Sequence, residues 1–159
     1  MVYKKKLTKE QALQKLRHYC RYQERCHSEV KQKLYELGIR KTDHDEIMAT
    51  LIEGGYLNEE RFALAYAAGK FRIKQWGRIK IKYELKQKGI SGYNIKKALE
   101  QINEEEYSKT LQKLTDEKYT ALKSEQYLLR RKKTMDYLLQ KGYEMELLTG
   151  AIGKITSGK

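Results

Sequence analysis

Apolar residues recur three and four apart along this chain, the spacing of one face of an α-helix, and the pattern repeats in three stretches of about fifty residues. Three segments anchor the repeat: Leu34 to Gly38-Ile39, Leu85 to Gly89-Ile90, and Leu138 to Gly142-Tyr143. Each is a leucine, three helix-compatible residues, a glycine and an apolar residue. A glycine in that place supplies the positive φ that ends a helix, and the apolar residue after it folds back on the last turn. Apolar pairs four apart follow each glycine: Ile47 and Leu51, Ile95 and Leu99, Leu148 and Ile152. Longer amphipathic stretches precede it, marked by Leu13, Leu16 and Cys20, by Phe62, Tyr66 and Ile73, and by Tyr107, Leu111 and Leu114. Each unit is therefore three helices, and the first carries a short insertion around Lys41 to Asp45.

Start signals agree with this division. Thr8 with Gln11 forms a capping box, Asp43 with Glu46 resembles one, and Asn58 and Asn103 each precede acids suited to the positive end of a helix dipole. That origin also accounts for Glu104, Glu105 and Glu106 without a catalytic carboxylate pair. The expected organisation is an all-α protein of three tandem three-helix repeats forming an elongated, curved body. It has a basic arm at 1–7, repeats at 8–56, 57–102 and 103–155, and a frayed tail at 156–159. One segment carries the opposite signal: Arg78-Ile-Lys-Ile-Lys-Tyr-Glu-Leu-Lys alternates as a half-buried strand does. Its counterpart at Ser28 to Leu37 has Val30, Leu34 and Leu37 at helical spacing, and Lys, Glu, Gln and Leu form helices readily, so the segment is assigned to helix.

Composition sharpens the picture. The 159 residues include no proline, 11 glycines, and 34 Lys and Arg against 21 Asp and Glu, a formal charge of +13. Such a surplus attracts polyanions, single- and double-stranded DNA foremost, although lysines also keep an elongated helical body soluble. The charge is clustered: Lys70, Arg72, Lys74, Arg78, Lys80, Lys82, Lys86 and Lys88 face the single acid Glu84. Arg130, Arg131, Lys132 and Lys133 lie before the third glycine, and Arg17, Arg21, Arg25, Lys31 and Lys33 before the first. Stacked units would align these clusters as a stripe, or leave them as three independent solvated faces. Trp76, beside Gly77 at a helix junction, is the aromatic expected to be exposed, while Phe62, Tyr66 and Ile73 are expected in the core.

Chemistry is sparse. His18, Cys20, Cys26 and His27 are the only grouping of metal-ligand types, but their spacing matches no paired zinc pattern, and Cys20 extends an apolar face. His44 has no nucleophile near it in sequence, and no Gly-rich phosphate loop is present, so neither an enzyme nor a cofactor is expected. No stretch approaches the roughly 18 apolar residues of a membrane span, and a cytoplasmic monomer with reduced thiols is expected.

Gly55-Tyr56-Leu57-Asn58-Glu59-Glu60-Arg61-Phe62-Ala63, followed by Gly77, Ile81 and Leu85-Lys-Gln-Lys-Gly89-Ile90, resembles the RecX family, modulators of the RecA recombinase. The likeness runs from about Ala12 to Ile152, with Gly38, Gly55, Tyr56, Arg61, Phe62, Gly89 and Gly142 as its structural motif. It is loosest in the third unit, where Tyr143 replaces isoleucine and a longer stretch, Leu114 to Arg131, comes first. The resemblance implies a non-enzymatic regulator in DNA repair and the SOS response. Such a protein lodges in the groove of the RecA–DNA filament or caps its growth, inhibiting ATP hydrolysis, strand exchange and the coprotease function. The basic clusters would then contact RecA or DNA. The alternative is a general DNA-binding protein that competes for nucleic acid.

Overall fold

The computed structural model describes residues 6–157. Those residues form nine α-helices and no strand: α1 (Lys9–Tyr22), α2 (His27–Glu36), α3 (Lys41–Glu53), α4 (Glu59–Lys74), α5 (Arg78–Gln87), α6 (Gly92–Glu100), α7 (Glu104–Ala121), α8 (Tyr127–Lys141) and α9 (Met145–Ser157). Every extensive helix–helix contact joins helices of the same triplet, so α1–α3, α4–α6 and α7–α9 are three successive units. The segment with the alternating pattern is α5, with Ile81 and Leu85 buried four apart. Ile79 and Tyr83, which complete the strand-like alternation between the lysines, are exposed, so an α-helical face is kept.

Side-chain caps open α1, α4, α6 and α7. Thr8 and Gln11 make the reciprocal capping box, and the Asn58 and Asn103 side chains accept from the Arg61 and Glu106 amides. Asp43 does not cap. The insertion in unit 1 adds a turn to the start of α3, whose N-cap is Arg40, and Asp43 lies inside that turn, 3.4 Å from Lys9 Nζ. Gly38, Gly55, Gly89 and Gly142 have φ of 72, 76, 80 and 98°. The core face of α4 is Ala63, Ala67 and Phe71, four apart, with Phe62 beside them. Ile73, expected in that core, is 79% exposed, because the two steps from Phe71 carry it to the other side of the helix. Thr156 and Ser157, expected in a frayed tail, continue α9, with Thr156 donating to the Ile152 carbonyl at 3.2 Å. Residues 1–5 of the basic arm and 158–159 of the tail lie outside the described residues.

The body is extended. Its accessible surface of 10643 Å² compares with about 8,300 Å² for a compact monomer of this mass. The middle helices of units 2 and 3 run end to end. Gly77 N donates to Lys141 O at 2.8 Å and Ile79 N to Gly142 O at 2.9 Å, while Arg78 N donates to the Tyr107 hydroxyl at 3.0 Å. The start of α5, whose amides lack partners within their own helix, is thereby satisfied from unit 3, with its positive dipole end against the negative end of α8. The end of α4 is closed in the same way: Lys141 Nζ reaches Lys74 O at 2.9 Å, and Tyr143 donates to Gln75 O at 2.8 Å.

Candidate functional site

The eight cations of the Lys70 to Lys88 segment point in several directions. Arg78, Lys82 and Lys86, four apart on α5, line a cleft of about 520 Å³ floored by Ile95 and Leu99 of α6, where Lys96 joins them. Lys70, Lys74 and Lys88 line a second groove, of about 650 Å³, between the α1–α2 loop, α4 and α5. Arg72 borders a small pocket of about 160 Å³ beside Ala98 and Glu106. An α-helix turns 100° per residue, so neighbouring basic residues divide among its flanks instead of forming a single ribbon.

Arg78 is committed to the fold. Its guanidinium is paired with Glu104 at 2.5 Å and Glu144 at 2.8 Å, and it stacks 3.8 Å from the centre of the Tyr107 ring. Burial works against its charge, but the hydrogen bonds to Glu104 and Glu144 outweigh this and raise its pKa. Trp76 is half-buried in the second groove, with Lys70 and Lys80 ammonium groups 4.8 and 4.5 Å from its ring centre. Those lysines cover the surface on which a base would stack. Beside it, burial, followed by the nearby Glu84 and Glu29 carboxylates, pushes the Tyr66 phenol up to about 12.

Cations of the outer units are also partly engaged. Arg130 donates to the Tyr119 carbonyl at 2.7 Å and lies 3.6 Å from that ring, and Arg25 does the same with Tyr19, at 3.1 and 3.7 Å. Lys133 pairs with Glu125 at 2.6 Å and Lys132 with Asp136 at 3.9 Å; Arg131 is half-buried. Arg17 and Arg21 lie over the Tyr56 ring. Cys20 belongs to the core of unit 1 and Cys26 to that of unit 2, so the grouping with His18 and His27 is divided between two cores.

The Gly55–Ala63 motif joins units 1 and 2. Arg61 donates to the Gly55 carbonyl at 2.8 Å and pairs with Glu24 at 2.5 Å, while Leu57 is buried in unit 1 and Phe62 in unit 2. The family model for the second three-helix domain of RecX matches residues 58–99. Regulatory protein RecX of Clostridium perfringens (strain 13) is 33% identical over 134 residues.

The chain belongs to the RecX family. The Clostridium alignment covers 82% of this chain and 62% of that protein. RecX of Leuconostoc mesenteroides is 28% identical over 80% of this chain and 48% of its own length, so the chain spans about half to three fifths of these relatives' length. The fold matches the crystal structure of RecX from Lactobacillus salivarius with a TM-score of 0.83 at 23% identity, covering 94% of this chain and 97% of that one. RecX proteins are regulatory proteins by name, and among the described residues no helix is long and apolar enough to cross a membrane.

Tyr107, Tyr143 and Glu144, which hold units 2 and 3 of this RecX chain together, escaped the sequence reading as a joint. Tyr143 was visible as the tyrosine standing where units 1 and 2 have isoleucine. The larger side chain is fully buried and spans the seam to Gln75. Lys96 also went unnoticed, because it lies outside the dense basic run and meets Lys82 and Lys86 only when α6 folds back on α5.

Proposed function

We propose that this RecX protein binds the RecA–DNA filament and inhibits its ATPase, strand-exchange and coprotease activities by occupying the filament groove or capping filament growth. The observation that carries this reading is a RecX-family chain folded as an extended three-unit body with a charge of +13. Cationic surfaces facing different ways suit a monomer wedged between recombinase subunits and DNA phosphates, where linked weak contacts reinforce one another. Lys82, Lys86 and Lys96 are suited to phosphates, single- or double-stranded. Lys70, Arg72, Lys74, Lys80 and Arg131, with Lys132, supply charge on other faces. Arg78, Arg130 and Lys133 act through the fold. The protein shifts the filament toward an inactive form to the extent that it binds that form more tightly.

The test is ATP hydrolysis by preformed filaments titrated with protein far below the amount that covers the DNA. Strong inhibition is expected at those ratios, and Lys82→Glu with Lys86→Glu should weaken it while leaving helicity intact. A general competitor for nucleic acid would act only near coverage and fade steeply with salt. Inhibition confined to near-coverage ratios would replace the filament reading with that competitor.

A further inference from the structure

The two seams between units differ in construction. Units 2 and 3 share one continuous core and are joined by main-chain hydrogen bonds through Gly77 and Ile79, by Tyr143, and by the paired Arg78. Unit 1 has a separate core, and across its seam with unit 2 a single side chain, Cys26, enters the neighbour's core. The cross-seam bonds there are made by side chains: Ser28 Oγ to Lys88 O at 2.9 Å, and Arg61 to Glu24 at 2.5 Å and to the Gly55 carbonyl at 2.8 Å. The 650 Å³ groove follows this seam, and Glu24 Oε2 is closed off from solvent within it without a hydrogen-bond partner. A carboxylate oxygen in that condition opposes closure, because opening returns it to water. Leu57 is the last residue of the unit 1 core, and Asn58 caps the first helix of unit 2, so one peptide links the two bodies.

We infer that unit 1 is a hinged arm that swings away from units 2 and 3 about the Leu57–Asn58 link, withdrawing Cys26 from the core of unit 2 and opening the groove. The motion leaves both cores whole. It changes the distance between the cationic faces of unit 1 and those of units 2 and 3, so the molecule can match more than one spacing on an extended partner. The device depends on the fold and stands whether or not that partner is a recombinase filament.

The native protein carries two reporters, since Cys20 is buried inside the arm and Cys26 at the seam, at 7% and 0% exposure. Burial raises the pKa of both thiols, so neither is activated by its surroundings and each must be uncovered to react. The folded protein is pulsed with N-ethylmaleimide and digested with trypsin, which cuts at Arg21 and Arg25 and places the two cysteines on separate peptides. Cys26 is expected to react at least tenfold faster than Cys20. Arg61→Ala should speed Cys26 at least threefold further without speeding Cys20, and Glu24→Gln, which removes the other half of that cross-seam ion pair, is the second variant should the first not fold. Equal rates at the two thiols would overturn the hinge. So would a Cys26 rate indifferent to the cross-seam substitution, which would locate the motion in the start of α2 alone.

Discussion

Two glycines with different reasons for being glycine separate backbone strain from steric exclusion. Gly89 closes α5 at a φ of 80°, and a Cβ added there meets nothing within 4 Å. Its replacement by valine is a purely conformational cost of about 1–2 kcal/mol. Gly77 has an ordinary φ of -79°, but a Cβ there would overlap the carbonyl of Gly142 in the next unit. Backbone against backbone leaves no rotamer to relieve the overlap, so Gly77→Ala should cost toward the upper end of about 1–3 kcal/mol for overpacking. Thermal melting should therefore fall in both variants, with Gly89→Asn recovering much of the loss because asparagine tolerates positive φ. If Gly77→Ala melted as the parent protein does, the close contact between units 2 and 3 would be wrong.

At the scale of helices, the joint between α4–α5 and α7–α9 is held by phenols that must stay protonated. Tyr107 donates to the Glu144 carboxylate while accepting from Arg78 N, and Tyr143 donates to Gln75 O. Burial, then the neighbouring Glu144, raises the pKa of Tyr107 and Tyr143. Tyr66 is raised from 10.0 to about 12. Above pH 10.0 the unfolded chain releases these protons while the native state retains them, so stability is complete below that pH and falls as pH climbs toward 12. Urea midpoints measured between pH 8 and 11.5 should be level and then decline, with Tyr107→Phe shrinking the decline. A flat profile would mean that the phenols are not shielded as placed. The helices themselves were legible in the sequence: the Gly38, Gly89 and Gly142 register, the asparagine caps, and α5 despite its alternation. The joint was not. Hydrophobic periodicity records which face of a helix is buried but not what it is buried against, and Gly77 meets Gly142 across a separation no local pattern spans. The same limit misplaced Ile73, whose apolar character matched a face that Phe71 occupies, and kept Lys96 apart from Lys82 and Lys86. It also made a linear run of cations look like one surface.

For the molecule as a whole, the distribution of the core decides what can stand alone. Units 2 and 3 bury one set of side chains that runs from Phe62 through Tyr107 to Leu148 and Ala151, and only Cys26 comes from outside. A chain beginning at Asn58 would lose that one small side chain, the Ser28 bond and both partners of Arg61, Glu24 and the Gly55 carbonyl, while keeping every main-chain bond between α5 and α8. Unit 1 alone is less secure, since a body of under about 60 residues buries a smaller share of its unfolded surface, about 60%, than a larger domain does. Its core ends at Leu57, and the Tyr56 ring that Arg17 and Arg21 cover is at its margin. The fragment from Asn58 to Ser157 is therefore expected to melt in one cooperative step within about 10 °C of the full chain, given a shift of about 4–8 °C per kcal/mol for a domain of that size. The fragment ending at Leu57 should show a weak, broad transition. A non-cooperative melt of the larger fragment would show that unit 1 is integral to the core of unit 2 and not an appendage packed on its edge.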